Sequence, residues 1–149
     1  YSYTASAIAR KMGDDDLAIA YLEEALTRQP GFALAANDLA WLLADTGRDL
    51  DRALTLARVA LTRSGAATAL DTLGWVRHQR GEYDYAVSSF RSALERYPNS
   101  PAIEYRLGMS LLALGETAEA RRVFEKLLES PALEERDLAR AELARLDDS

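Results

Sequence analysis

Residues 73–98, LGWVRHQRGEYDYAVSSFRSALERYP, decide how this chain folds. Ala86, Phe90, Ala93 and Leu94 recur at the three- and four-residue spacing that places side chains on one helix face. Pro98 blocks continuation of that helix, because proline has no N–H to donate and clashes with the preceding turn. Gly81 stands where an earlier helix, containing Leu73 and Trp75, has to stop. Glycine suits that place because a helix C-cap takes a left-handed conformation that a Cβ opposes. The stretch therefore reads as helix, tight turn, helix.

The same arrangement recurs. Gly13, Gly47, Gly81 and Gly115 lie 34 residues apart, and Ser6, Ala40, Gly74 and Gly108 stand seven residues before them. Ala5, Leu39, Leu73 and Leu107 come one residue earlier still. Downstream stand Ala18, Ala53, Ala86 and Ala120, then the pairs Ala25-Leu26, Ala60-Leu61, Ala93-Leu94 and Leu127-Leu128. In the second copy Leu39, Leu42 and Leu43 form the stripe of the first helix. Ala40, Gly74 and Gly108 are small enough for the two helices of a unit to approach closely, and Ala53, Ala86 and Ala120 do the same between units. The second copy carries an extra residue in the turn Arg48-Asp49-Leu50-Asp51, recovered at Ser64-Gly65, where Ser64 replaces the expected proline.

Composition agrees. Ala (27) and Leu (24) supply 51 of 149 residues, whereas Val and Ile together supply seven, a balance that favours helix. There is no cysteine, which excludes disulfides, thiolate zinc sites and cysteine nucleophiles. A net charge of −6 argues against nucleic acid, whose binding needs clustered cations. No run of 18 apolar residues exists, so no membrane insertion is expected of this segment. The chain starts at Tyr1, without Met, so any targeting segment lies outside it, and Tyr1 reads as a boundary in a longer protein.

The pattern L-G-W…G-E-Y-x-x-A-x-x-x-F-x-x-A-L-x-x-x-P from Leu73 to Pro98 resembles the tetratricopeptide repeat, a 34-residue helix–turn–helix unit. The resemblance covers essentially the whole chain. It implies an all-α, right-handed superhelical solenoid, one domain over residues 1–149, with repeats at about 1–32, 33–66, 67–100 and 101–132. Residues 133–147, with Ala139, Leu143 and Leu146 on one face, read as a capping helix whose other positions, among them Glu134, Glu135, Arg136, Arg140 and Arg145, face water. The N-terminal end has no such cap. An apolar face around Ile8 and Leu22 is expected to be uncovered there, and weak self-association is expected to use it.

Chemistry finds little purchase. His78 is the single histidine, and with Asp71 and Trp75 on the same helix face it offers too few ligands for a metal. Asp14-Asp15-Asp16 lacks the glycine and glutamate of a calcium loop and reads as a helix start, where carboxylates cap and complement the positive end. Gly108-Met109-Ser110 sits in mid-helix without the second glycine of a nucleophile elbow, and no glycine-rich phosphate loop exists. The expectation is a non-catalytic chain with no cofactor and no metal.

The resemblance implies a concave groove lined by the first helix of each repeat. Its candidate residues are Tyr3, Asn37, Trp41, Asp71, Trp75, His78, Tyr105 and Met109, with Ala7, Arg10, Lys11, Leu34, Asp45, Thr68, Gln79, Ala102 and Leu112 beside them. Trp41, Trp75 and Met109 share one column, and aromatic and thioether side chains are enriched at binding hot spots. The alternative is that the two tryptophans pack between neighbouring helices as repeat core. Of the columns where some family members clamp a terminal carboxylate, only Asn37 fits, which disfavours that ligand. The expected partner is a protein or peptide, with a structural spacer or self-assembly segment as the other reading. The strings at 39–44 and 70–76 are similar to repeats of bacterial cell-envelope proteins, including exopolysaccharide-secretion scaffolds, and 16 Arg against two Lys fits a GC-rich bacterial source. On that likeness the periplasm or envelope is favoured over the cytoplasm.

Overall fold

The computed structural model describes residues 1–149 as nine helices with no strand. They are α1 (Ser2–Lys11), α2 (Asp15–Arg28), α3 (Ala33–Asp45), α4 (Leu50–Ser64), α5 (Ala67–Gln79), α6 (Tyr83–Arg96), α7 (Pro101–Leu114), α8 (Thr117–Leu127) and α9 (Leu133–Asp147). Each helix packs on the next, and in addition α3 touches α5, α5 touches α7, and α7 touches α9. The first helices of the pairs therefore stand side by side on an inner face, which α9 extends. No helix is long and apolar enough to cross a membrane.

The turn inside each pair follows from its glycine. Gly13, Gly47, Gly81 and Gly115 take φ values of 76°, 68°, 80° and 92°. The next residue then donates its N–H back to the preceding helix: Asp14 to Ala9, Arg48 to Leu43, Glu82 to Arg77 and Glu116 to Leu111, at 2.8–3.0 Å. This double-back satisfies carbonyls that the helix end leaves free. The second helix starts on a local cap in the first two pairs, where Asp14 Oδ1 accepts from Leu17 N–H at 3.0 Å and Asp49 Oδ1 accepts from Arg52 N–H at 3.2 Å. Asp49 itself takes φ 38°, the local cost of the extra residue in that turn. Where Ser64 replaces proline, Gly65 ends α4 at φ 60° and the Ser64 hydroxyl donates to the Ala60 carbonyl at 2.7 Å.

Packing within a pair is a matter of matched volumes. A Cβ on Gly74 would lie 2.6 Å from the Phe90 ring, and one on Gly108 would lie 2.5 Å from the Phe124 ring. Both rings are fully buried. At the corresponding places of the first two pairs the combinations are Ser6 with Leu22 and Ala40 with Ala57, so a smaller residue opposite allows a Cβ. The expectation that Leu22 belongs to an uncovered end is thereby corrected: Leu22 is fully buried because it fills the place taken by Phe90 and Phe124 further along. The large apolar side chains exposed at that end are Tyr1, Ile8, Met12 and Leu17.

The core falls into two main clusters. One joins α1–α4 with Leu73 and Val76 of α5, and the other joins α6–α9 around Phe90, Leu111 and Phe124. Trp75 packs against both. The ninth helix is less solvated than its sequence suggested. It buries Glu142 beside Ala139 and Leu143, with Arg145 donating to Glu142 at 2.6 Å, and Glu135 and Arg136 are half-buried rather than solvated.

In an open helix, Gly→Ala gains about 1 kcal/mol. Here Gly108→Ala is expected to lose about 1–3 kcal/mol through overpacking against Phe124. The double variant Gly108→Ala/Phe124→Leu should recover part of that loss. Urea unfolding followed by circular dichroism checks both the reversed sign and the recovery.

Candidate functional site: the concave groove

The inner face carries a stack of aromatic rings. The Trp41 and Trp75 centroids lie 5.8 Å apart at 24°, and Trp75 and His78 lie 5.2 Å apart at 7°. Tyr83 then meets His78 edge-on at 5.2 Å. The His78 ring is held by a hydrogen bond between Nδ1 and the Ser110 hydroxyl at 2.8 Å, and burial pushes its pKa below the ordinary 6.5.

A guanidinium closes the other end of the stack. Arg106 lies 4.8 Å over the Trp41 ring and donates from Nε and an Nη to the two carboxylate oxygens of Asp71, at 2.9 and 2.6 Å. The side chains are 18% and 15% exposed, so the pair is largely withdrawn from water. Burial pushes the Asp71 carboxyl above the usual carboxylate range, and Arg106 pulls it only part of the way back. The flanking carboxylate is thus already neutralised within the protein. Tyr3 and Asp38 form the corresponding bond one repeat pair earlier, at 2.9 Å. Burial first and the Asp38 acceptor second push the Tyr3 phenol up to about 12.

Beside the stack lies a pocket of about 270 Å³, lined by Trp41, Asp45, Trp75, Ala102, Tyr105, Arg106, Met109, Glu134, Glu135 and Leu138. This is slightly below the roughly 300–1,000 Å³ of small-molecule sites and suits one or two side chains of a partner. Four buried side-chain atoms have no hydrogen-bond partner in the protein: the Asn37 amide oxygen, the Trp75 indole N–H, and the Nε of Arg77 and of Arg136. Such orphans are rare in folded proteins.

All eight candidate residues are half-buried. The structure gathers four of them, Trp41, Trp75, Tyr105 and Met109, around the pocket, and Asp71 reaches it through Arg106. His78 lies on the far side of Trp75 against Tyr83 and Ser110, while Tyr3 packs on Phe32 with centroids 5.0 Å apart. The two readings of the tryptophans divide between them. Trp75 packs on both core clusters, whereas Trp41 packs on neither and rests between Trp75 and Arg106. Arg106 and the α9 side chains Glu134, Glu135 and Leu138 were not among the candidates. For Arg106 a signal exists: it follows Asp71 by 35 residues, as Asp38 follows Tyr3. For α9 the one legible signal among its pocket residues is Leu138, a large apolar side chain outside the stripe of Ala139, Leu143 and Leu146.

Two models of the family described as tetratricopeptide repeat match the chain, one over residues 3–68 and one over residues 77–146. The chain belongs to the tetratricopeptide repeat family. It is 34% identical over 99 residues to the TPR repeat-containing protein PA4667 of Pseudomonas aeruginosa, a match that takes in 65% of this chain and 17% of that protein. Among solved structures it is similar to TTC0263, a thermophilic TPR protein of Thermus thermophilus, with TM-score 0.81 and 23% identity over 96% of this chain and 80% of that one. It is also similar to MamA, with TM-score 0.72 and 21% identity over 93% and 84% of the two chains. These likenesses establish the repeat fold.

Because His78 is the single histidine, its ring signal in proton NMR is unambiguous. The fold favours the neutral imidazole, so stability from this residue is complete above pH 6.5 and is lost as pH falls through the lowered folded value. The titration midpoint is expected below 6.5, and a midpoint at or above it contradicts the burial described. For the ion pair, Asp71→Ala strands Arg106 and should cost about 2–4 kcal/mol, whereas Asp71→Leu combined with Arg106→Met should return close to wild type. Urea denaturation of the three proteins measures the difference.

Proposed function

We propose that this tetratricopeptide domain is a non-catalytic interaction module that holds a peptide, helix or partner protein in its concave groove. The family's fold is a protein-interaction module. The observation that carries the finer reading is Trp41: a large aromatic on the inner face, at the edge of a pocket, that does no core packing. An indole kept half-exposed without a core role is what a binding hot spot requires. A scaffold role in a bacterial envelope or polysaccharide-secretion assembly rests on the likeness of residues 39–44 and 70–76 to such repeats, together with a Pseudomonas relative. The matched segment is 17% of that relative, so the activity of the whole protein is a separate matter.

The competing reading, a spacer within a longer array, leaves the groove empty. Photo-crosslinking separates the two. A benzophenone amino acid at Ala102 in the pocket is expected to give partner adducts in cells of the source organism, and one at Arg58 on α4 is not. Trp41→Ala, with an unchanged melting temperature, should abolish the Ala102 adducts. Adducts from Arg58 alone would favour the spacer.

A further inference from the structure

The charges around the pocket point to a definite kind of partner. Asp45, Glu134 and Glu135 all line it, and none has an ion-pair or hydrogen-bond partner for its carboxylate. The one cation present, Arg106, already spends two donors on Asp71 and its face on Trp41. The pocket therefore presents three unpaired negative charges over an apolar floor of Trp41, Trp75, Tyr105, Met109 and Leu138.

The fold by itself accounts for only two of those charges. Glu134 and Glu135 occupy the first turn of α9, where the positive end of the helix dipole welcomes them. Asp45 is the last residue of α3, at the negative end of the dipole, in a last turn with no basic residue. A carboxylate there destabilises the helix. A residue that opposes local stability and also lines a pocket marks a site where binding has outweighed folding.

Resting on the groove reading above, we infer that this end of the groove binds a basic amphipathic segment of another protein: one apolar side chain seated between Trp41 and Leu138, with Lys or Arg side chains beside it facing Asp45, Glu134 and Glu135. An acidic segment is rejected by the same three carboxylates, because Arg106 is not free to receive it. Helix α9 is then one wall of the binding site, as well as a cover for the apolar face of the last repeat.

The test uses a random 12-residue phage-displayed peptide library selected on the intact 149-residue chain. Recovered peptides are re-assayed on Trp41→Ala and on the triple variant Asp45→Asn/Glu134→Gln/Glu135→Gln, with melting temperatures recorded for both. Peptides that depend on Trp41 are expected to combine an apolar residue with net positive charge, and to bind the triple variant about tenfold more weakly. Asp45→Asn alone should leave the melting temperature unchanged or raised. Trp41-dependent peptides that are neutral or acidic, or that bind the triple variant as tightly as wild type, overturn this inference while leaving the groove reading standing. Peptides indifferent to Trp41→Ala, or no enrichment at all, remove the groove reading and this inference with it.

Discussion

The structure depends on the packing of α5 on α6, where the two main core clusters meet and where Trp75 packs against both. The Trp75 ring is partly buried and packs against both clusters, one on α1–α5 and the other on α6–α9. In a linear stack each repeat contacts only its neighbours, so stability is a chain of interfaces rather than one shared core. A large ring that packs against both clusters adds to the coupling that the close Gly74–Phe90 approach already provides between α5 and α6. The same ring is stacked between Trp41 and His78 on the inner face. Core packing and the inner-face stack therefore meet in one residue, and Trp41 is held between Trp75 on one face and Arg106 on the other.

What allows Trp75 to take that position is the backbone next to it. Gly74 brings α5 so close to α6 that the Phe90 ring occupies the space of a Cβ, and Gly108 with Phe124 repeats the arrangement one unit later. Each glycine is followed by a residue of the inner-face column, Trp75 in one unit and Met109 in the next, as Ala40 is followed by Trp41.

Electrostatics then divides the groove. The Asp71–Arg106 pair spends a buried charge on internal geometry, since it holds the guanidinium over Trp41 and ties α5 to α7. Buried pairs of this kind contribute more to placement than to net stability. With that cation consumed, the sign of the pocket is decided by carboxylates contributed from the end of α3 and the start of α9. Its character is set by side chains that lie far apart in sequence, on the second repeat and on the helix after the last one.

The sequence by itself determined the period, the helix pairs and the family, because those depend on local chemistry: a left-handed glycine after each first helix, apolar residues at helical spacing, and small residues opposite large ones. It also placed Trp41, Trp75 and Met109 in one column, since the column is a matter of counting residues along a repeat. It left open whether the tryptophans were core or surface, and it misplaced Leu22, whose burial depends on Ser6 offering no larger side chain opposite. Only the tertiary structure decided that Trp75 packs against both core clusters while Trp41 packs against neither and lies between Trp75 and Arg106 on the inner face. It alone brought Arg106 onto Asp71 and curved α9 round to complete the pocket. Those outcomes depend on the angle at which successive repeats stack, and that angle is a sum over many small packing contacts that no single residue spacing encodes.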